Sequence, residues 1–125
     1  TARAEDVTMK EIPFTALDGV RVGNAQSDEG KTGVTVLFFP DGTKTGVDIS
    51  GGGPASRETP VLDPTKEDIA IHAIVLSGGS AYGLAAADGV MKCLEDHHIG
   101  YDTGFSLVPL VVQSARLDLF SAMAL

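Results

Sequence analysis

Few residue types in this chain could carry chemistry: serines set among glycines, three histidines, one cysteine, and an Arg-Glu pair beside a run of three glycines. The segment Ser77-Gly78-Gly79-Ser80-Ala81-Tyr82-Gly83 follows an apolar run and precedes a helical pattern. A helix N-terminus offers unpaired backbone N–H groups and the positive end of the dipole, and glycines let an anion approach the backbone closely. The segment therefore reads as a place for anion or oxyanion stabilisation. It is not a phosphate loop, since no Gly-Lys-Ser/Thr follows, and G-x-G-x-x-G is absent. As a nucleophile elbow it fails because Tyr82 stands where G-x-S-x-G needs its second glycine. Ser80 is left as a helix cap or as a pocket-lining hydroxyl.

The remaining candidates are weaker. His72 lies inside an apolar run, where a satisfied core histidine is a better reading than a base. His97 and His98 close a helical pattern, and adjacent helix positions do not readily face one metal, so no metal site is assigned. A helix rising about 1.5 Å per residue also separates them from Ser80, which argues against a Ser–His couple. Cys93, between Met91 and Leu94, reads as a small buried apolar group, and one cysteine excludes an internal disulfide.

Elements must place these residues. Leu17-Asp18-Gly19 predicts a turn into a first strand or hairpin. The β-branched and aromatic run Val34 to Phe39, the turn residues Pro40-Asp41-Gly42 and the alternation from Thr43 to Ile49 predict a β-hairpin, with Phe38 and Phe39 asking for cover on both faces. Gly51 to Pro64 reads as a loop. Asp68 to Ser77 predicts a central strand, and Ala81 to about His97 a helix that buries Leu84, Ala87, Val90, Met91 and Leu94 and stops near Gly100. A short edge segment at Ile99 to Gly104 and a strand from Leu107 to Val112 complete the set. Residues 1–16 read as an arm and 17–125 as the front portion of one domain. The apolar finish from Ala115 to Leu125 suggests that the domain is incomplete or pairs with another chain.

Composition narrows the partners. At 125 residues and 43% apolar content the chain has room for one core. Nine Lys and Arg against 17 Asp and Glu give a net charge of -8, which disfavours nucleic acid and anionic membrane surfaces. No apolar stretch reaches the ~18 residues of a membrane span, and no export signal is visible. A cytoplasmic location is expected.

Several segments together resemble one family. They are Gly51-Gly52-Gly53-Pro54-Ala55-Ser56-Arg57-Glu58-Thr59 with Leu62-Asp63-Pro64, the stretch from His72 through Ser77-Gly78-Gly79-Ser80-Ala81-Tyr82-Gly83 to Val90, Gly33-Val34-Thr35-Val36, and Thr103-Gly104 with Val108-Pro109-Leu110-Val111. This set is similar to the autoprocessing L-aminopeptidase/D-amidase/D-esterase family, which includes nylon-oligomer hydrolases. The resemblance implies an α/β fold, part of an αββα sandwich like that of the N-terminal-nucleophile hydrolases. It implies self-cleavage that frees a Ser or Thr nucleophile, and hydrolysis of small peptides or amides without metal or organic cofactor. It also implies assembly of processed pairs into a homo-oligomer. No residue of this chain matches the nucleophile, so none is assigned as catalytic. Gly78, Gly79, Ser80, Tyr82, Arg57 and Glu58 are the expected pocket-lining residues, with an Arg57 and Glu58 ion pair bracing the glycine loop as an equal reading. The chain would then be framework and pocket wall for a nucleophile on a complementary chain. The alternative is a catalytically inactive fragment that serves binding or assembly.

Overall fold

A computed structural model describes residues 9–119; the first eight residues of the expected arm and the last six of the apolar finish lie outside the described residues. After a 3-10 turn at Phe14–Ala16, the Asp18-Gly19 turn, with Gly19 at φ 82°, leads into β1 (Arg21–Ser27). The predicted entry into a first strand is therefore present. β1 pairs antiparallel with β2 (Thr32–Thr43), so the hairpin of this region is β1–β2.

The hairpin expected across Pro40-Asp41-Gly42 does not form. β2 runs through that segment and bulges: Phe38 pairs with Ala73 and Thr43 with Ile71, five residues advancing on one strand against two on the other. Pro40 has no N–H for the ladder, and Gly42 sits at φ 76°, so the segment has turn chemistry. The partner strand, however, resumes pairing on the far side, and the turn residues bend the strand instead of reversing it. Of the return strand expected from Thr43 to Ile49, Thr43 ends β2 and residues 44–49 are irregular.

The glycine loop contains the two-residue β3 (Ser56–Arg57) and a 3-10 turn at Thr59–Leu62. β4 (Ile71–Ser77) is central, as its apolar run predicts. A 3-10 segment (Ser80–Ala85) and α1 (Ala86–Asp96) follow, then β5 (Tyr101–Asp102), β6 (Leu107–Val108) and β7 (Val111–Ala115). The strand expected from Leu107 to Val112 is split at Pro109. Its first part pairs with β5, and its second enters the main sheet parallel to β4. The five-stranded mixed sheet has the order β1-β2-β4-β7-β3. Parallel β4 and β7 need a crossover, which the helical segment supplies. The α/β class expected from the sequence holds.

The helical segment departs from a continuous helix at both ends. The first turns, Ser80–Ala85, are 3-10: Gly83 lets them close against the Gly78 carbonyl, into which a Cβ would press, and its own carbonyl accepts the Ala86 N–H as a 3-10 bond. At the other end His98 takes the left-handed position at φ 56°, with Ile99 N–H donating to Leu94 O and His98 N–H to Glu95 O. Gly100 is therefore not the stop. It is glycine because a Cβ would lie 2.7 Å from the Val108 carbonyl carbon.

The core joins Ala73, Val75 and Val111 of the sheet to Ala87 and Leu94 of α1, with Val90, Met91 and Phe38 packed around them. Cys93 falls off this stripe and is exposed, against the expectation of a buried thiol. His72 is buried as expected, and its Nδ1 accepts the Leu110 N–H at 3.2 Å. The opposite face of the sheet opens toward the end of β4, where Leu76 is 47% exposed.

Candidate functional site

β4 and β7 run parallel and end together, and open parallel sheets place ligands beyond such strand ends. A cleft of about 950 Å³ lies there, lined among others by Gln26, Lys31, Thr32, Leu76, Arg116 and Asp118. Beneath it is the Ser77–Ser80 turn, whose donors are already used. Gly78 N–H donates to Gly33 O at 2.9 Å, and Ser80 N–H to Arg116 O at 3.0 Å. Gly79 N–H donates to Asp118 Oδ1 at 2.7 Å. The turn does hold an anion, and the anion is the chain's own Asp118 carboxylate.

Asp118 is gripped twice. Its Oδ2 accepts the Thr32 hydroxyl at 2.7 Å, from a residue 86 positions away. The Gly79 N–H first, then the Thr32 hydroxyl, hold its carboxyl below the usual carboxylate range, so it is ionised at neutral pH. Gly78 permits this seat, since a Cβ there would overlap both the carboxylate and the Thr32 hydroxyl. Arg116 N–H also donates to Ser77 O at 2.7 Å, so the stretch after β7 is sewn to the turn from both sides.

The expected cap does not exist. Gly79, at φ 87°, occupies the cap position, Ser80 follows at φ 52°, and no side-chain capping bond is made. Ser80 is placed in the turn by backbone, not by its hydroxyl. Ser77 is tied down: its Oγ accepts from Gln113 Nε2 at 2.7 Å and donates to Gly83 O at 3.2 Å. Gln113 Nε2 also donates to Gly83 O at 2.7 Å, and the same amide's buried Oε1 has no partner among the described residues.

Of the six expected pocket residues, Gly78 lines the cleft. Tyr82 points outward, 85% exposed. Arg57 and Glu58 do not form the expected ion pair. Arg57 Nη1 pairs with Asp88 Oδ1 at 2.7 Å and reaches Leu84 O at 3.3 Å, tying β3 to α1, while Glu58 is exposed at φ 58°. His97 sits at the end of α1 with its Nδ1 on the Cys93 carbonyl at 2.7 Å, remote from the cleft. Among the described residues no cluster of three His, Cys, Asp or Glu side chains could hold a metal.

Sequence reasoning missed Thr32, Asp118 and Gln113. Gln113 had a usable signal, a polar residue directly after Val111-Val112 in a strand. Asp118 had a weaker one: it lies just past that strand, on the side where the glycine turn also ends.

Comparison with known proteins bears on this arrangement. Peptidase family S58 matches residues 14–123. A protein of Mycobacterium leprae named "uncharacterized aminopeptidase" is 49% identical over 114 residues, covering 85% of this chain and 32% of that protein. A counterpart in Mycobacterium tuberculosis is 43% identical over 114 residues, covering 85% and 33%. The 6-aminohexanoate-oligomer endohydrolase of an Agromyces strain is 38% identical over 115 residues, covering 92% and 30%. The chain spans about a third of the length of these curated relatives.

Proposed function

Because the chain belongs to peptidase family S58, we propose that it is the framework and one cleft wall of a peptide or amide hydrolase whose Ser or Thr nucleophile lies in a segment outside these 125 residues. The observation that carries this reading is the composition of the cleft at the β4 and β7 ends. It is polar and open and lined by the hydroxyl residues Ser27, Thr32, Thr35, Ser77 and Ser114, yet no histidine borders it among the described residues. The hydroxyls of Thr32, Thr35 and Ser77 are committed to Asp118, Asn24 and the Gly83 carbonyl. A nucleophile freed by chain cleavage brings its own base, the new α-amine. That amine takes the hydroxyl proton as oxygen attacks the amide carbonyl, then returns it to the leaving amine, and water releases the acyl group. Such a cleft needs walls and a backbone frame from this chain, not an acid–base pair.

The substrate reading follows the relatives' names. L-aminoacyl amides and linear ω-amino acid oligomers are the two classes to compare, both small and uncharged at the scissile bond. No metal or organic cofactor is called for. Processed pairs would assemble into a homo-oligomer, in the cytoplasm. Among the described residues no helix is long and apolar enough to cross a membrane.

The test is hydrolysis of L-leucine p-nitroanilide and of a 6-aminohexanoate oligomer by the complete protein. Turnover of either, abolished when its processing is blocked, supports the reading. A processed protein that hydrolyses neither class would overturn it and favour a binding or assembly module.

A further inference from the structure

The Asp118 seat has a function beyond holding one loop. We propose that Asp118 is a positioning residue for the proposed hydrolysis: by filling the anion-binding turn with its own carboxylate, it locks the Arg116–Asp118 backbone as a fixed wall of the cleft. This rests on the hydrolase reading above.

Two successive left-handed residues, Gly79 at φ 87° and Ser80 at φ 52°, aim their N–H groups at the stretch leaving β7. A left-handed serine is strained and needs its surroundings to hold it. Here Ser80 N–H is held by Arg116 O at 3.0 Å and Gly79 N–H by Asp118 Oδ1 at 2.7 Å. The carboxylate's other oxygen reaches β2 through Thr32 at 2.7 Å. One side chain thus joins β2, the end of β4 and the exit of β7, three of the segments that line the cleft. Charge-assisted bonds from a backbone N–H and a hydroxyl are roughly twice as strong as neutral ones, so this junction is stiff.

Two sequence features agree. Gly78 has no Cβ, and one would overlap the Asp118 carboxylate. Gly83 has none either, which lets the 3-10 segment close onto the Gly78 carbonyl. Both small residues are required for the turn to fold back on itself and accept the carboxylate. Arg116, on the same wall, is the charged neighbour that further favours the ionised form.

The same geometry makes a different use of the turn unworkable. With Gly78, Gly79 and Ser80 N–H groups all donated within the chain, a substrate oxyanion would have to displace Asp118. The turn positions the wall and does not bind the substrate anion.

The experiment compares Asp118→Asn and Asp118→Ala in the complete protein, with L-leucine p-nitroanilide as probe and hydrogen exchange at the Gly79 amide as an independent readout. Asn keeps an oxygen for Gly79 N–H and presents an amide that can donate to the Thr32 hydroxyl, so it should retain most of kcat. Ala should lower kcat about tenfold or more at nearly unchanged KM, since a wall displaced by 1 Å can cost on the order of 10²-fold. It should also speed exchange at Gly79. Equal kcat in wild type and the Ala variant, or equal loss in Asn and Ala, would overturn the positioning role. Unchanged Gly79 exchange in the Ala variant would overturn it too, whether or not the wild-type protein hydrolyses the probe. Wild-type inactivity on both this probe and a 6-aminohexanoate oligomer, with accelerated exchange in the Ala variant, removes the hydrolase reading and with it the catalytic part of this proposal.

Discussion

At the scale of single residues, burial and hydrogen bonding separately depress the pKa values of two side chains, His72 and Asp118. His72 is buried, and desolvation pushes its imidazole below the ordinary 6.5, so it is neutral in the fold and accepts the Leu110 N–H. The sign follows from linkage: above pH 6.5 neither state binds this proton, and below it the unfolded chain does so first, so stability falls as pH drops toward the folded value. His72→Asn, whose side-chain oxygen can replace Nδ1 as acceptor, should flatten the fall in melting temperature between pH 7 and 5; an unchanged fall would mean that another group dominates. Asp118 also has a depressed value, below 3.8, so its contribution is complete above that pH and is lost as pH drops through the folded value. The two should therefore separate on a melting curve against pH, His72 first. The core role of His72 was readable from its apolar neighbours. The grip on Asp118 was not, because nothing local to Asp118 names Thr32, 86 positions earlier, as its partner.

At the scale of elements, the departures come from tertiary contacts that override local signals. Pro40-Asp41-Gly42 has the composition of a hairpin turn, but β4 pairs on both sides of it and turns it into a bulge. Ser80 has the composition of a cap, but backbone bonds from the turn to Arg116 and Asp118 set its conformation. Ser80→Ala should therefore change stability by less than about 0.5 kcal/mol, against the ~1 kcal/mol lost with a working cap. Chemical denaturation of the two proteins distinguishes these values. Gly78→Ala is the opposite case. The added methyl would press on Asp118 and Thr32, and overpacking of this kind costs about 1–3 kcal/mol. Arg57 ties the edge strand β3 to α1 through a largely solvated ion pair, with Asp88 71% exposed. Its replacement by Ala should cost only about 1 kcal/mol, much of it from the lost Leu84 O bond and stem packing. A melting point lowered with kcat unchanged would place Arg57 in the scaffold; a drop in kcat at constant stability would place it in the pocket.

At the scale of the whole molecule, the central strand, the helix behind it and the α/β class were legible because β4 is a continuous apolar run and α1 carries a 3.6-residue stripe. The strand order was not, since the parallel β4–β7 pairing joins segments on either side of the whole helical crossover. The site shows the same division. The glycine turn stood out in the sequence as a place for an anion, and an anion is there, but it is internal. With its turn filled from within the chain, the proposed function looks for the nucleophile elsewhere. The most direct measurement is mass-spectrometric mapping of a serine- and threonine-reactive phosphonate on the complete, active protein. The account predicts an adduct on a Ser or Thr outside these 125 residues and none on Ser77, Ser80 or Thr32. An adduct on any of those three, with loss of activity, would contradict it.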